Sequence, residues 1–209
     1  MTGKTVQLVR SADGSPVDAE LVTGLRPEDF VEIDQQWLPS RQRIHRNLRE
    51  QGVPQSQWPQ NGGWNWKRKA KLLPLLSVRG FGIRIEDEWQ GAALINIDEY
   101  SSRSKSDVGK PIVYLDYLEV APANWPKRIS RREPEYLGCG SHLLRQVVFE
   151  SVDEDYGGRI GLHSLDQSRT FYERHGMKLI EIDAKKENLA YYEFTKEESD
   201  AFLAKGDSK

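Results

Sequence analysis

A single cysteine in 209 residues, Cys139, excludes an intrachain disulfide framework and suits a reducing compartment. No apolar run approaches the length that crosses a bilayer, and the opening MTGKTVQLVR lacks the apolar centre of a signal peptide. Neither sign of charge dominates. Thirty Lys and Arg stand against 32 Asp and Glu, a net charge of −2, so there is no global electrostatic case for nucleic acid or an acidic membrane. Any basic site must be local. No internal repeat is visible. The expectation is a soluble, cytoplasmic protein. What is present suffices for a core: 37% hydrophobic residues over this length favour one domain folding alone. Within it, residues 1–77 read as an N-terminal strand followed by helices, 78–195 as a central core and 196–209 as a C-terminal tail.

Taken in order, residues 4–10 alternate as a strand and 12–16 form a turn. Pro27, Glu28 and Asp29 mark a helix start, and Phe30, Ile33 and Trp37 continue at helical spacing until Pro39 interrupts. Ser40 then caps a second, surface-lying helix over 41–50, with Ile44 and Leu48 on one side. Residues 51–63 are a loop rich in Pro, Gly and Gln. The segment 64–71 mixes Trp64 and Trp66 with four cations. It reads either as a core-facing helical stripe of Trp66, Ala70 and Leu73 with solvated lysines, or as an anion-contacting surface. Residues 78–86 and 89–100 form a hairpin, 101–110 a solvated loop, and 177–182 and 190–194 two further strands. Thr195 caps a short last helix.

The most informative stretch is 111–177. A near-continuous apolar strand over 112–120 leads through a polar loop to Gly138-Cys139-Gly140-Ser141, where a helix begins with Leu143, Leu144, Val147 and Val148 on one face. A strand over 159–163 and a helix over 166–174 follow. Glycines at a helix start let the backbone approach a ligand, and the unpaired N–H groups of the first turn suit a phosphate or pyrophosphate. The whole is mixed α/β (α+β), antiparallel for the most part, with one parallel crossing.

Three segments in this order resemble the GNAT superfamily of acyl-coenzyme A-dependent acyltransferases. Leu118-Glu119-Val120-Ala121-Pro122 is similar to its fourth strand, residues 138–144 to its pyrophosphate turn, and 168–177 to its last helix and following strand. The resemblance implies a mostly antiparallel sheet of six or seven strands, one parallel pair splayed around the coenzyme, and helices on both faces. It further implies acetyl-coenzyme A as co-substrate, no metal, and direct transfer of the acetyl group to an amine without a covalent enzyme intermediate. Leu118 and Val120 would meet the pantetheine arm, while Gly138, Cys139, Gly140, Ser141, His142 and Ser168 would line the coenzyme. Two positions depart from the family pattern. Glu135 stands where Arg or Gln is usual and cannot donate to a phosphate, so Arg131 or Arg132 takes that work, within a cluster that also holds Lys127 and Arg128. Leu165 stands where Asn is common.

Acyl transfer needs a neutral amine and a protonated leaving thiolate. Tyr172 matches the family's general acid. For the base, Asp116 lies within an apolar strand, where burial would raise its pKa, and Glu119 is the second candidate. A water relay would also serve. His163 reads either as lining the acceptor site or as a hydrogen-bonded strand end. His142 and His175 are expected to face solvent, and Cys139 to pack the turn rather than act as a nucleophile. The expected partner is a small-molecule or peptide amine, with no nucleic acid or membrane, in a monomer or homodimer. The alternative function is a coenzyme A-binding module without catalysis.

Overall fold

The structure, a computed structural model, describes residues 2–206. Nine strands alternate irregularly with helices: β1 (Thr2–Arg10), β2 (Pro16–Thr23), α1 (Pro27–Glu50), α2 (Trp66–Lys69), β3 (Val78–Ile85), β4 (Glu88–Asn96), β5 (Val113–Val120), α3 (Lys127–Ser130), β6 (Tyr136–Leu137), α4 (Cys139–Asp153), β7 (Ile160–Ser164), α5 (Arg169–His175), β8 (Lys178–Asp183), β9 (Leu189–Phe194) and α6 (Lys196–Ala204). The strands pair in the order β6-β1-β2-β3-β4-β5-β7-β9-β8. This is the expected mixed α+β class with a parallel pair, β5 with β7, at Val113↔Ile160 and Tyr114↔Gly161. The sheet has nine strands rather than six or seven because β2 and β6 both pair with β1.

Two compact units make up the chain, one of Met1–Leu76, Gly80–Ala93 and Leu118–Leu143, the other of Ser77–Arg79, Leu94–Tyr117 and Leu144–Lys209. In the first, β1 and β2 form an antiparallel hairpin in register Thr5↔Glu20 and Leu8↔Val17. Leu8, Ala19 and Leu21 are buried there.

Helix α1 corrects one expectation. It runs unbroken for 24 residues through Pro39 instead of ending there. Proline removes one backbone bond, to the carbonyl four residues back, but Gln35 and Pro39 are both exposed, so water can satisfy that carbonyl. The apolar stripe Phe30, Ile33, Trp37, Ile44 and Leu48 continues past it on the buried side, and Arg41 lies on the same stripe. Trp66, from α2, fills the space beside it, stacked on Phe30 at 5.4 Å and edge-on to Trp37 at 6.2 Å. The core reading of Trp66 and Ala70 holds, since both are buried.

In the second unit β7 pairs antiparallel with β9, and β9 with β8. Helix α5 ends on Gly176 in the left-handed region, φ 97°. Helix α6 starts on a reciprocal cap between Thr195 and Glu198, and its Phe202 stacks on Phe194 at 5.4 Å. Among the described residues, no helix is long and apolar enough to cross a membrane.

Candidate functional site

In the first unit, the glycine turn is built as a helix start. Gly138 is exposed with φ 96°, a conformation that costs an L side chain about 1 kcal/mol or more, and α4 begins at Cys139. The His142 amide closes the first turn on the Gly138 carbonyl at 3.0 Å. His142 is buried rather than solvent-facing, and its Nε2 lies 2.8 Å from the Gln7 carbonyl oxygen, fastening α4 to β1. Cys139 is buried, and burial pushes its thiol up to about 12, which suits packing and not nucleophilic attack.

The segment before that turn is tied down by its main chain. The Glu135 amide donates to the Ala123 carbonyl (3.0 Å), and the Glu135 carbonyl accepts from the Ser11 amide (2.9 Å). Arg131 and Arg132 are exposed, Arg131 in the left-handed region at φ 61° with its guanidinium 3.5 Å from Gln57 Oε1. A cavity of about 300 Å³ is lined by Ser40, Arg43 and Ile44 of α1 together with Ser130, Arg132 and Glu135. Leu118 and Val120 are half-buried, and the Val120 carbonyl accepts from Trp125 Nε1 at 3.1 Å.

Glu119 is the most enclosed carboxyl of this unit, 2% exposed. Its Oε2 accepts from Arg41 Nη2 and Trp66 Nε1, each at 2.7 Å, and its Oε1 from Asn61 Nδ2 at 2.8 Å. Burial raises its pKa to about 7, and Arg41 with the other donors keeps it from rising further. Arg41 also donates to the Trp64 carbonyl, and Asp34 accepts from Asn65 Nδ2 (2.7 Å) and the Trp66 amide (3.1 Å). One carboxylate thus draws α1, the loop before α2 and α2 itself onto β5.

In the second unit, Asp116 is half-buried, not enclosed by its apolar strand, so the desolvation expected there falls on Glu119 instead. Tyr172 is buried against Phe171 (5.1 Å) and Tyr192 (6.3 Å), and burial raises its pKa. Ser168, half-buried, precedes α5 without capping it through its side chain. His175 does not face solvent: it is half-buried, its ring 4.4 Å from Phe171 and 5.4 Å from Phe202.

Sequence reasoning missed the polar group at the β7 and β8 ends. Tyr114 Oη lies 2.6 Å from His163 Nδ1, and His163 Nε2 lies 3.1 Å from Asp183 Oδ2. Arg103 Nη1 donates to Asp183 (2.7 Å) and Glu181 (2.6 Å), and the guanidinium carbon lies 4.4 Å from the centre of the Tyr191 ring. Arg103 holds the Asp183 carboxyl well below the usual range, while burial lowers the His163 pKa. The signal lay in Tyr114 and His163, each polar in an apolar strand. Their partner Asp183 ends β8, where the sequence reads as a polar turn.

No family model matches the sequence, and no curated protein matches it. Solved structures do. A GNAT-family acetyltransferase from Listeria monocytogenes superposes with a TM-score of 0.52 at 15% identity, over 90% of this chain and 99% of that one. RimJ of Mycobacterium smegmatis, solved with CoA-disulfide, superposes with a TM-score of 0.51 at 14% identity, over 97% and 94%. At these identities the likeness is one of fold. The chain has the fold of the GNAT acetyltransferases, the superfamily that its sequence resembles.

Proposed function

We propose that the protein is an N-acyltransferase that moves the acetyl group of acetyl-coenzyme A directly to an amine. The observation that carries this reading is the left-handed, exposed Gly138 at the start of α4 in a chain of this fold. The start of α4 and the positive end of its helix dipole suit a pyrophosphate, with Gly140 and Ser141 in contact and His142 fixing the helix. Arg131 and Arg132 would meet a terminal phosphate in place of Glu135. Leu118 and Val120 would offer main-chain groups to the pantetheine arm, and Ser168 a hydroxyl.

In the reaction the amine lone pair forms the N–C bond, the C–S bond breaks, the thiolate takes a proton from Tyr172, and the nitrogen of the new amide sheds a proton to solvent, from which the phenol is restored. Tyr172 is buried beside Phe171 and Tyr192. A neutral phenol with a raised pKa is a fit acid for a developing thiolate. For the base, the pKa of Glu119 lies in the useful range, but its three donors must be disturbed for it to take a proton. We therefore assign Glu119 to holding the acceptor-side elements in place, and Asp116 to the acceptor amine.

Calorimetric titration with coenzyme A, followed by a thiol-release screen of amines with acetyl-coenzyme A, tests the reading. Binding with turnover supports it. Binding without turnover on any amine favours a coenzyme A-binding module that has lost catalysis.

A further inference from the structure

Tyr114, His163 and Asp183 form a hydrogen-bonded chain that the donor machinery above does not use. Its direction is fixed by chemistry. Asp183 can only accept, because Arg103 keeps it ionised, so the neutral His163 carries its proton on Nε2. Nδ1 then has a free lone pair, and at 2.6 Å the Tyr114 phenol donates to it. The groups around His163 hold this state from every side: Tyr114 from β5, Asp183 from β8, the Tyr191 ring at 4.8 Å from β9, Arg103 ahead of β5, and Lys186 in the turn after β8. Packing rigidifies the chain further. A Cβ on Gly161 would lie 2.5 Å from the Tyr191 hydroxyl, so only glycine leaves that ring its place. Tyr100 stacks on Tyr114 at 3.9 Å.

Asp116 lies two residues beyond Tyr114, on the same side of the strand by alternation, half-buried and with its charge felt by the Tyr114 and Tyr100 phenols. A half-buried carboxylate among tyrosine rings suits an alkylammonium ion, through ion pairing and cation–π attraction.

We propose that the acceptor is an alkylammonium ion paired with Asp116, and that Tyr114–His163–Asp183 is the relay that removes its proton. This rests on the acyltransferase reading. The ammonium gives a proton to the phenol oxygen of Tyr114 as the phenol proton moves to His163 Nδ1. The phenol is restored, the imidazole becomes an imidazolium facing Asp183, and the amine keeps the lone pair that attacks the thioester. After the amide leaves, His163 returns its proton to solvent. Burial raises the Tyr114 pKa, so a free phenolate is disfavoured and the two transfers are concerted. Tyr114 touches substrate, whereas His163 and Asp183 act through it.

The test compares two amines with acetyl-coenzyme A near neutral pH: butylamine, which is almost wholly ammonium, and 2,2,2-trifluoroethylamine, which is largely unprotonated. Tyr114→Phe and His163→Gln should lower kcat/KM for butylamine by about a hundredfold and for the fluorinated amine by less than tenfold. Asp183→Asn should move the acid limb of the butylamine profile to lower pH, because Asp183 raises the His163 pKa. Unchanged melting temperatures show that the variants fold, and Tyr114→Phe removes only a hydroxyl. In the parent protein, ¹⁵N NMR should find His163 neutral with its proton on Nε2. Equal losses with both amines, or a proton on Nδ1 at neutral pH, overturn the relay. A parent that binds acetyl-coenzyme A yet acetylates neither amine overturns the acyltransferase reading and the relay with it.

Discussion

Two carboxylates anchor the polar interior of this protein, one in each unit, and their surroundings differ in kind. Glu119 meets only donors, from Arg41, Trp66 and Asn61. Asp183 meets Arg103 on one side and, on the other, an imidazole that donates at one nitrogen and accepts at the other. A carboxylate surrounded by donors cannot gain a proton without losing a bond, so it locks elements together. A chain whose middle member, His163, accepts at one nitrogen and donates at the other can pass a proton along. Burial alone does not separate a structural carboxylate from one that serves chemistry; whether a partner can itself exchange a proton, as His163 can and Arg41 cannot, does.

The largest effect should come from breaking the lock. Arg41→Met leaves Glu119 buried without its cation and should cost about 3 to 5 kcal/mol in urea unfolding, whereas Asp183→Asn, whose Arg103 partner is 39% exposed on its side chain, should cost clearly less. Similar losses at the two sites would break the comparison. Next in size, Tyr172→Phe should lower turnover by about ten- to a thousandfold with coenzyme A affinity unchanged, since the lost bond belongs to the transition state. A matching fall in affinity would return Tyr172 to packing.

The pH dependence of stability should have opposite signs at the two sites. Glu119 has its folded pKa raised from 4.5 to about 7, so the folded state holds a proton that the unfolded chain has released, and stability falls as pH rises through that window. His163 has its folded pKa lowered from 6.5, so its contribution is present above that value and is lost as pH falls. Unfolding curves of Glu119→Gln and His163→Gln against pH should each lose one of these slopes. Smallest of all, Arg131→Ala with Arg132→Ala should weaken coenzyme A severalfold, less so at high salt, and no change would return that loop to solvent.

The core of the fold was legible where periodicity and turn chemistry agree. Helix α4 after Gly138, the hairpin of β3 and β4, and the Thr195 cap of α6 all stand as read. Strand β2 was missed although Val17, Ala19 and Leu21 alternate with Asp18 and Glu20, and β6 was missed because two residues carry no period. Pro39 misled because its penalty depends on whether the freed carbonyl faces water, which only the structure tells. The Glu119 lock could have been found. Arg41 sits on the apolar stripe of α1 and Glu119 in an apolar strand, two charges out of place with opposite signs. Asn61 lies in a loop with no pattern, and nothing in the sequence marked it.

The acetyl group is proposed to pass from the coenzyme to an amine. Mass spectrometry of butylamine incubated with the protein and ¹³C-labelled acetyl-coenzyme A tests it most directly. Labelled N-butylacetamide should form in step with free coenzyme A, both depressed in Tyr172→Phe. Bound coenzyme with no labelled amide above the uncatalysed background would contradict it.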